Sequence, residues 1–304
     1  MTDRFDFTPV VIVGAGRSGT NMLRDVLVSL DEFETWPCDE ISAIWRHGNL
    51  TWPDDEIPAA RADGVPRRFI RHAFRQLWRR RKPTFVVEKT CANSLRVPFV
   101  DAILPEARFV HIVRSGIDVV ASARQRWRAS VDPRYLARKA RFVPVSDIPH
   151  YAMRYLHNRV RQQLHADRRL DAWGPVFAGM AEVARDGSLE ELCARQWIRC
   201  VDLADMALQA MPAEKSLTLH YEQFAVHPDE NLRRLLDFLG VSARAAAVAS
   251  AISGVRQDSI GKGRPELGRE APGLLDRMRP TLERHGYRTD PILQEPVTGA
   301  SAWR

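Results

Sequence analysis

A glycine-rich turn between an apolar run and an amphipathic segment constrains this 304-residue chain more than any other feature. Val10–Val13 is an apolar run typical of a buried strand, and Gly14–Asn21 follows it at once. Apolar residues at helical spacing then extend from Met22 to Leu30. At the carboxyl end of a parallel strand, such a turn exposes backbone amides beside a helix N-terminus. The turn therefore predicts an anion-binding loop.

Further apolar runs alternate with helix-period segments along the chain. Because buried strands that alternate with helices form a parallel sheet covered on both faces, we predict an α/β fold with a mostly parallel central sheet. A single domain is expected over residues 1–304. The region of about 130–195 has no strong strand signal and predicts an insert of helices and loops. The other strand-like runs are Phe85–Val87, Phe109–Val113 and Leu217–Leu219.

Three interpretations of the first loop compete. The pattern GxGxxG from Gly14 to Gly19 fits a dinucleotide fingerprint, but residues 30–37 lack the hydrophobic strand that should follow. The same glycines open a Walker A pattern, which needs a lysine and then a hydroxyl residue. Thr20 and Asn21 stand there instead, which argues against an ordinary ATPase or kinase. A loop that binds a phosphosulfate without a metal fits better.

Two motifs resemble those of sulfotransferases that use the donor PAPS (3′-phosphoadenosine-5′-phosphosulfate). The strand Phe109–Val113 ends in Arg114, and Ser122 follows two helical turns into the next segment, like the motif that binds the 3′-phosphate. The first loop is similar to the family's 5′-phosphosulfate loop. The resemblance assigns to that loop the donor-binding residues Gly16, Arg17, Ser18, Gly19, Thr20 and Asn21.

Two carboxylates compete for the role of general base. Glu88-Lys89-Thr90 ends the run Phe85–Val87 and resembles a motif of carbohydrate sulfotransferases. The resemblance implies that Glu88 takes the acceptor proton and that Lys89 stabilises the leaving group. Glu40 follows Pro37-Cys38-Asp39 and resembles the segment that supplies a catalytic glutamate in tyrosylprotein sulfotransferases. We rank Glu88 slightly ahead of Glu40.

The C-terminal part resembles the same superfamily more loosely. Leu219-His220-Tyr221 is similar to its C-terminal core, and Tyr221 is predicted to help bind the donor. Ser259-Ile260-Gly261-Lys262-Gly263-Arg264 resembles its late basic loop over the nucleotide, and this resemblance assigns Lys262, Gly263 and Arg264 to the donor site. That loop often has an aromatic residue where Gly263 stands, so stacking from it is not expected.

The resemblance implies a P-loop NTPase-like fold, with the insert over an acceptor site. It implies transfer of a sulfuryl group from PAPS to a hydroxyl of a saccharide or small metabolite. The expected reaction is a metal-independent in-line displacement, with PAP (the desulfated donor) as product. Aromatic residues of the insert, and Trp173-Gly174-Pro175 in particular, are candidates to lie near the acceptor.

Composition narrows the alternatives. The net charge of +7 suits an anionic donor, and we interpret the arginine clusters at 67–82 as solvated helix faces rather than a nucleic-acid surface. The four cysteines form no CxxC pair, which predicts no zinc site and fits a reducing cytoplasm. The sequence has no apolar signal-peptide core and no membrane-spanning run, and it leaves the oligomeric state open. A P-loop kinase, a non-catalytic nucleic-acid or glycan binder and a dinucleotide oxidoreductase are the alternatives.

Overall fold

The structure is a computed structural model that describes residues 4–128, 139–153, 173–263 and 272–288. Within them the strands form a single parallel sheet in the order β2-β3-β1-β4-β5. The sheet places β1, and therefore the loop that follows it, at the centre. The strands are β1 (Thr8–Val13), β2 (Phe33–Thr35), β3 (Phe85–Lys89), β4 (Arg108–Val113) and β5 (Ser216–His220).

Each strand-like run of the sequence is a strand, which confirms the predicted α/β fold. One expectation was wrong, because residues 30–37 do contain a strand, the edge strand β2. It is three residues long, and of these only Phe33 is buried. So short a strand shows no readable alternation of apolar and polar residues.

The strand order excludes the dinucleotide-binding arrangement. In that fold the second strand pairs with the first, in the order 3-2-1-4-5-6. Here β1 lies between β3 and β4, and β2 pairs only with β3. The GxGxxG pattern is therefore shared with the dinucleotide fold, but the strand order is not.

Helices cover both faces of the sheet. The longest, α7, packs along α5, and several short 3-10 helices connect the elements, among them 91–95 directly after β3. The helices are α1 (Thr20–Val28), α2 (Ser42–Arg46), α3 (Val65–Arg81), α4 (Val97–Ile103), α5 (Gly116–Arg128), α6 (Met180–Asp186), α7 (Leu189–Gln209), α8 (Tyr221–Val226), α9 (Pro228–Leu239), α10 (Ala245–Ile252) and α11 (Pro272–Arg284).

Alternate residues of the central strands serve separate cores. Val10 and Ile12 pack with α1, α8 and α9, whereas Val11 and Val13 pack with α3 and α4 on the opposite face. This alternation follows from the two-residue period of a strand. A third core joins α5, α7 and α11. The sheet is thus held from both sides, and its carboxyl ends form a fixed rim.

Strand register brings the sequence motifs to that rim. Ile12, two residues before the first loop, is paired with Lys89, and Val13 is paired with His111. Parallel pairing therefore places the first loop, the end of β3 and the end of β4 beside one another. His111, which lies within β4, is buried, and its Nδ1 is 3.3 Å from Oδ1 of Asp205.

The predicted insert is described only in part, at 139–153 and from residue 173 onward. The latter part includes α6 and the beginning of α7, so the last residues assigned to the insert belong to a core helix. Among the described residues, no helix has the length and hydropathy needed to cross a bilayer.

Candidate active site

Hydrogen bonds from backbone amides fix the conformation of the first loop. The amide of Gly14 donates to Oγ of Ser94 at 2.8 Å, and the amide of Ser18 donates to the carbonyl of Ala15 at 3.1 Å. Gly19 has φ +92°, and a Cβ there would lie 2.4 Å from Cδ2 of Tyr221. A glycine is required at this point both by the left-handed backbone and by the aromatic ring against it.

The beginning of α1 suits an anion. Its N-cap, Gly19, supplies no side-chain hydrogen bond, and no acidic residue occupies the first turn. The first-turn amides therefore keep their partial positive charge. Oγ of Ser18 is fully buried without a hydrogen-bond partner among the described residues. Buried hydroxyls are normally hydrogen-bonded, and an oxygen of an anion bound in the loop would accept a hydrogen bond from this one.

Arg17 joins the first loop to the helix after β4. Its Nε donates to Oγ of Ser122 on α5 at 2.9 Å, although the two residues are 105 positions apart. Desolvation lowers the pKa of Arg17, and the nearby cations Arg126 and Arg114 lower it further. The three guanidinium groups lie close enough to repel one another, and a bound anion would reduce this repulsion. Ser122 therefore lies beside the first loop.

Arg114 is a buried arginine that contacts residues of three separate segments. Its Nη1 donates to the carbonyl of Arg17 at 3.1 Å, and its Nη2 donates to the carbonyl of Ser259. The guanidinium carbon lies 4.5 Å from the ring centroid of Tyr221. The Nε atom is buried with no hydrogen-bond partner in the described part of the chain. This arrangement brings together three of the predicted donor-site segments.

The late loop is anchored by Asp118 at the start of α5. The amides of Gly261 and Gly263 donate to its two carboxylate oxygens at 2.8 Å each. A Cβ at Gly263 would lie 2.4 Å from the carbonyl oxygen of Ile117, which explains why no aromatic residue stands there. Lys262 is exposed and lies 3.7 Å from Asp258.

The remaining predicted donor-site residues differ in their exposure and contacts. Arg264 lies outside the described residues. Asn21 is exposed on α1, whereas Thr20 is buried with its Oγ1 3.6 Å from Sγ of Cys91. Tyr221 is buried against Gly19, and its hydroxyl lies 2.6 Å from Oγ of Ser259. Tyr221 therefore contacts both the first loop and the late loop.

Lys89 and Glu40 form an ion pair at the rim. Nζ of Lys89 lies 3.3 Å from Oε1 of Glu40, and the amide of Cys91 donates to the same oxygen at 3.3 Å. Burial alone would raise the pKa of Glu40, but Lys89, Lys139 and the Cys91 amide together lower it to about 2. Burial likewise opposes the charge of Lys89, whose pKa is nonetheless raised by Cys91 and Glu40. The pair is fully charged near pH 7.

Glu88 lies on the other face of β3. It is 1% exposed, and its carboxylate accepts hydrogen bonds from Oγ1 of Thr90 and from Nδ2 of Asn93. Burial raises its pKa. The structure therefore brings Lys89 together with Glu40, and it holds Glu88 in a buried hydrogen-bond network with Thr90 and Asn93.

Trp173 covers part of the first loop. A Cβ on Gly16 would lie 3.3 Å from Cη2 of its indole, and the ring of Trp127 is 6.4 Å away, centroid to centroid. Nε2 of Gln196 donates to the carbonyl of Trp173 at 2.9 Å. The aromatic residue that the sequence singled out is thus beside the predicted anion loop.

Several supporting residues were not assigned from the sequence. Ser94 fixes Gly14, Arg126 adds charge beside Arg17, and the indole of Trp197 donates to the carbonyl of Arg114 at 3.1 Å. All depend on contacts across 80 positions or more. Arg126 could nonetheless have been found from the sequence, because it lies one helical turn after Ser122. Among the described residues, no three His, Cys, Asp or Glu side chains lie close enough together to hold a metal ion.

Comparison with known proteins points to a single family. The sequence profile described as "Sulfotransferase family" matches residues 9–173, which is more than half of the chain. The sulfotransferase domain from the curacin biosynthetic pathway is 12% identical, with 93% of this chain and 98% of that chain covered and a TM-score of 0.52. A sulfotransferase from Mycobacterium avium is 11% identical, with 94% and 79% covered and a TM-score of 0.54. At these identities the solved structures establish the fold. No curated protein matches the sequence.

Proposed function

Since the chain belongs to the sulfotransferase family, we propose that it transfers a sulfuryl group from PAPS to a hydroxyl of a saccharide or small metabolite, with Glu40 as general base. The observation that carries this proposal is the 3.3 Å pair of Lys89 and Glu40 beside the anion loop. A cation and a carboxylate at one rim are the two groups that sulfuryl transfer needs.

The donor fits the cluster of loops around Arg114. The first loop offers α1 amides, the unpartnered hydroxyl of Ser18 and the cation Arg17 to a phosphosulfate. Ser122 and Arg114 lie beside it and would hold the 3′-phosphate through a hydroxyl and a guanidinium. Lys262 would add a further charge from the late loop.

PAPS, when bound, supplies a sulfur atom that is linked to its 5′-phosphate through a bridging oxygen. In the proposed step the acceptor oxygen forms the new bond to sulfur as the bond from sulfur to the bridging oxygen breaks. The released electron pair stays on the phosphate of PAP, where Lys89 stabilises the charge. The acceptor proton passes to Glu40. Because Lys89 and Arg17 supply the positive charge, the proposal requires no metal.

Glu40 is a better candidate for the base than Glu88. Both carboxylate oxygens of Glu88 already accept hydrogen bonds from side chains, and Glu88 lies on the opposite side of β3 from Lys89. Glu40 is partly exposed, with 21% of its side chain accessible. We therefore propose that Glu88 positions the end of β3 and that Glu40 accepts the proton.

The acceptor class is proposed from the surroundings of the loop. Trp173 presents a partly buried indole beside Gly16, and such a ring can stack on a sugar or another flat apolar ring. The net charge of +7 favours acceptors that are neutral or anionic.

Calorimetric titration with PAP tests the donor assignment. Wild type should bind PAP equally well with Mg²⁺ and with EDTA. Ser122→Ala and Arg114→Ala should each weaken binding by about 10-fold or more, because each loses a contact to a charged group. Arg233→Ala is the matched control, since this exposed arginine pairs with Asp229 on α9.

Two results would contradict the proposal. One is binding of ATP that depends on Mg²⁺ with no binding of PAP, which would replace it with a kinase. The other is PAP binding that is insensitive to both substitutions, which would place the nucleotide elsewhere on the chain.

A further inference from the structure

The carboxylate of Glu40 is held through both of its oxygens by lysines from different parts of the chain. Oε1 lies 3.3 Å from Nζ of Lys89, which ends β3. Oε2 lies 3.8 Å from Nζ of Lys139, which comes from the region predicted as an insert. Lys89 is 3% exposed and Lys139 is 29% exposed. One lysine therefore reaches the carboxylate from the buried rim and the other from the solvent side.

Lys89 would share its charge between Glu40 and a bound donor. In the proposed reaction its ammonium also interacts with the leaving phosphate, since that is where negative charge develops. A partly buried carboxylate that shares its cation becomes easier to protonate and freer to rotate. A second cation would therefore hold the carboxylate ionised and in place while the donor is bound.

We propose that Lys139 is a positioning residue, which keeps Glu40 ionised and oriented through Oε2 while Lys89 is engaged by the donor. This inference rests on the proposed function, because it concerns the base of that reaction. It also gives the region of about 130–195 a direct part in the chemistry of the site.

The other titratable groups around Glu40 do not replace this cation. Arg24 on α1 faces the same region, but it lies 3.5 Å from the carboxylate of Asp39. The thiols of Cys38 and Cys91 are neutral near pH 7. Burial raises the pKa of both, to about 12 for Cys91.

The test isolates Lys139 by first removing Lys89. Lys89→Met represents the limit in which Glu40 receives no charge from Lys89. Lys89→Met/Lys139→Gln removes both cations. Carbon-13 NMR of glutamate-labelled protein follows the titration of Glu40, whose signal is assigned by its loss in Glu40→Gln. We expect the double variant to titrate about 1 pH unit or more above Lys89→Met, because an opposite charge at this distance lowers a carboxyl pKa.

Two further variants separate charge from packing. Lys89→Met/Lys139→Arg restores the charge and should titrate like Lys89→Met. Lys89→Met/Lys215→Gln is the matched control, because Lys215 is also paired with a carboxylate, Asp101, and is 24% exposed. It lies at the amino end of β5, away from the rim, and should not change the titration. The same titration of Lys139→Gln with PAP bound repeats the test with Lys89 in place.

Equal titration of Lys89→Met and Lys89→Met/Lys139→Gln would overturn the proposal, as would an arginine variant that behaves like glutamine. Failure of the proposed function gives a different pattern. In that case wild type binds no PAP, while the difference between the two Lys89→Met proteins still reports on Lys139.

Discussion

Asp118→Asn is the sharpest perturbation of the late loop, because it removes charge without removing volume. Asp118 is 4% exposed, and each of its oxygens accepts a hydrogen bond of 2.8 Å, from Gly261 and from Gly263. A carboxamide can accept only one of these bonds, since its other end carries hydrogens. Those hydrogens would face the second backbone amide.

The expected cost follows from these contacts. A hydrogen bond to a charged acceptor contributes about 1.5–3 kcal/mol, and an unsatisfied buried amide costs about 1–3 kcal/mol. We therefore expect the loop around Gly261 to be destabilised by about 2–4 kcal/mol. Because the loop can detach while the sheet stays folded, the free energy of global unfolding falls by no more than this amount. If the loop covers the donor, the lower figure corresponds to a loss of PAP affinity of about 30-fold.

Calorimetry with PAP and urea unfolding measure the two effects separately. Asp229→Asn is the control, since it breaks an exposed pair with Arg233 and should cost less than about 1 kcal/mol. A PAP affinity equal to that of wild type would refute the reasoning, even if Asp118→Asn lowers the stability. It would mean that the donor site is unaffected both by the weakened loop around Gly261 and by the loss of the 3.7 Å ion pair of Asp118 with Arg114.

Four other predictions concern the first loop and the two carboxylates. Gly19→Ala places an alanine at φ +92° and its Cβ against the ring of Tyr221, so PAP binding measured by calorimetry should be lost, and an unchanged affinity would contradict the loop geometry. Glu40→Gln should lower the rate of PAP formation from PAPS with a panel of sugar acceptors by about 100-fold or more, with PAP affinity unchanged. Glu88→Gln should instead lower the free energy of unfolding, and a rate lost only in that variant would reverse the two roles. The pKa of Glu40 is lowered to about 2 from an ordinary 4.5, so its stabilisation is complete above about pH 4.5 and is lost as the pH falls toward 2. Urea unfolding of wild type and Glu40→Gln at about pH 6 and about pH 3 should therefore converge at the lower pH, and a constant difference would exclude this linkage.

The fold was largely predictable because its strands are buried on both faces. Val10–Val13 is a continuous apolar run, and Phe109–Val113 is apolar except for His111, as is typical of buried parallel strands. The edge strand Phe33–Thr35 was missed because it is short and only half buried. The strand order was not predictable, since the crossovers that place β3 between β1 and β2 leave no local pattern in the sequence.

The sequence indicated which strand–helix junctions meet at the rim, but not which carboxylate pairs with Lys89. Glu88 and Lys89 are adjacent in sequence, which suggested a catalytic pair. Successive residues of a strand point to opposite faces, so only one of them can face the donor loop. The register with Ile12 fixes Lys89 beside the loop, and a segment 49 positions away supplies its carboxylate, Glu40. That pairing depends on how the chain after α1 packs, which a motif cannot report.

Arg114 determines how mutations in the donor site should be interpreted. Its guanidinium joins the first loop to the late loop through the carbonyls of Arg17 and Ser259 before any ligand is present. Replacing it therefore leaves the partly buried carbonyls of Arg17 and Ser259 without this donor, in addition to removing a phosphate contact. Ser122→Ala removes only a hydroxyl, which accepts a hydrogen bond from Arg17. If the donor is held by preorganised loops, Arg114→Ala must weaken PAP binding well beyond Ser122→Ala and must also lower stability. Equal losses of affinity with unchanged stability would mean that phosphate contacts alone hold the donor.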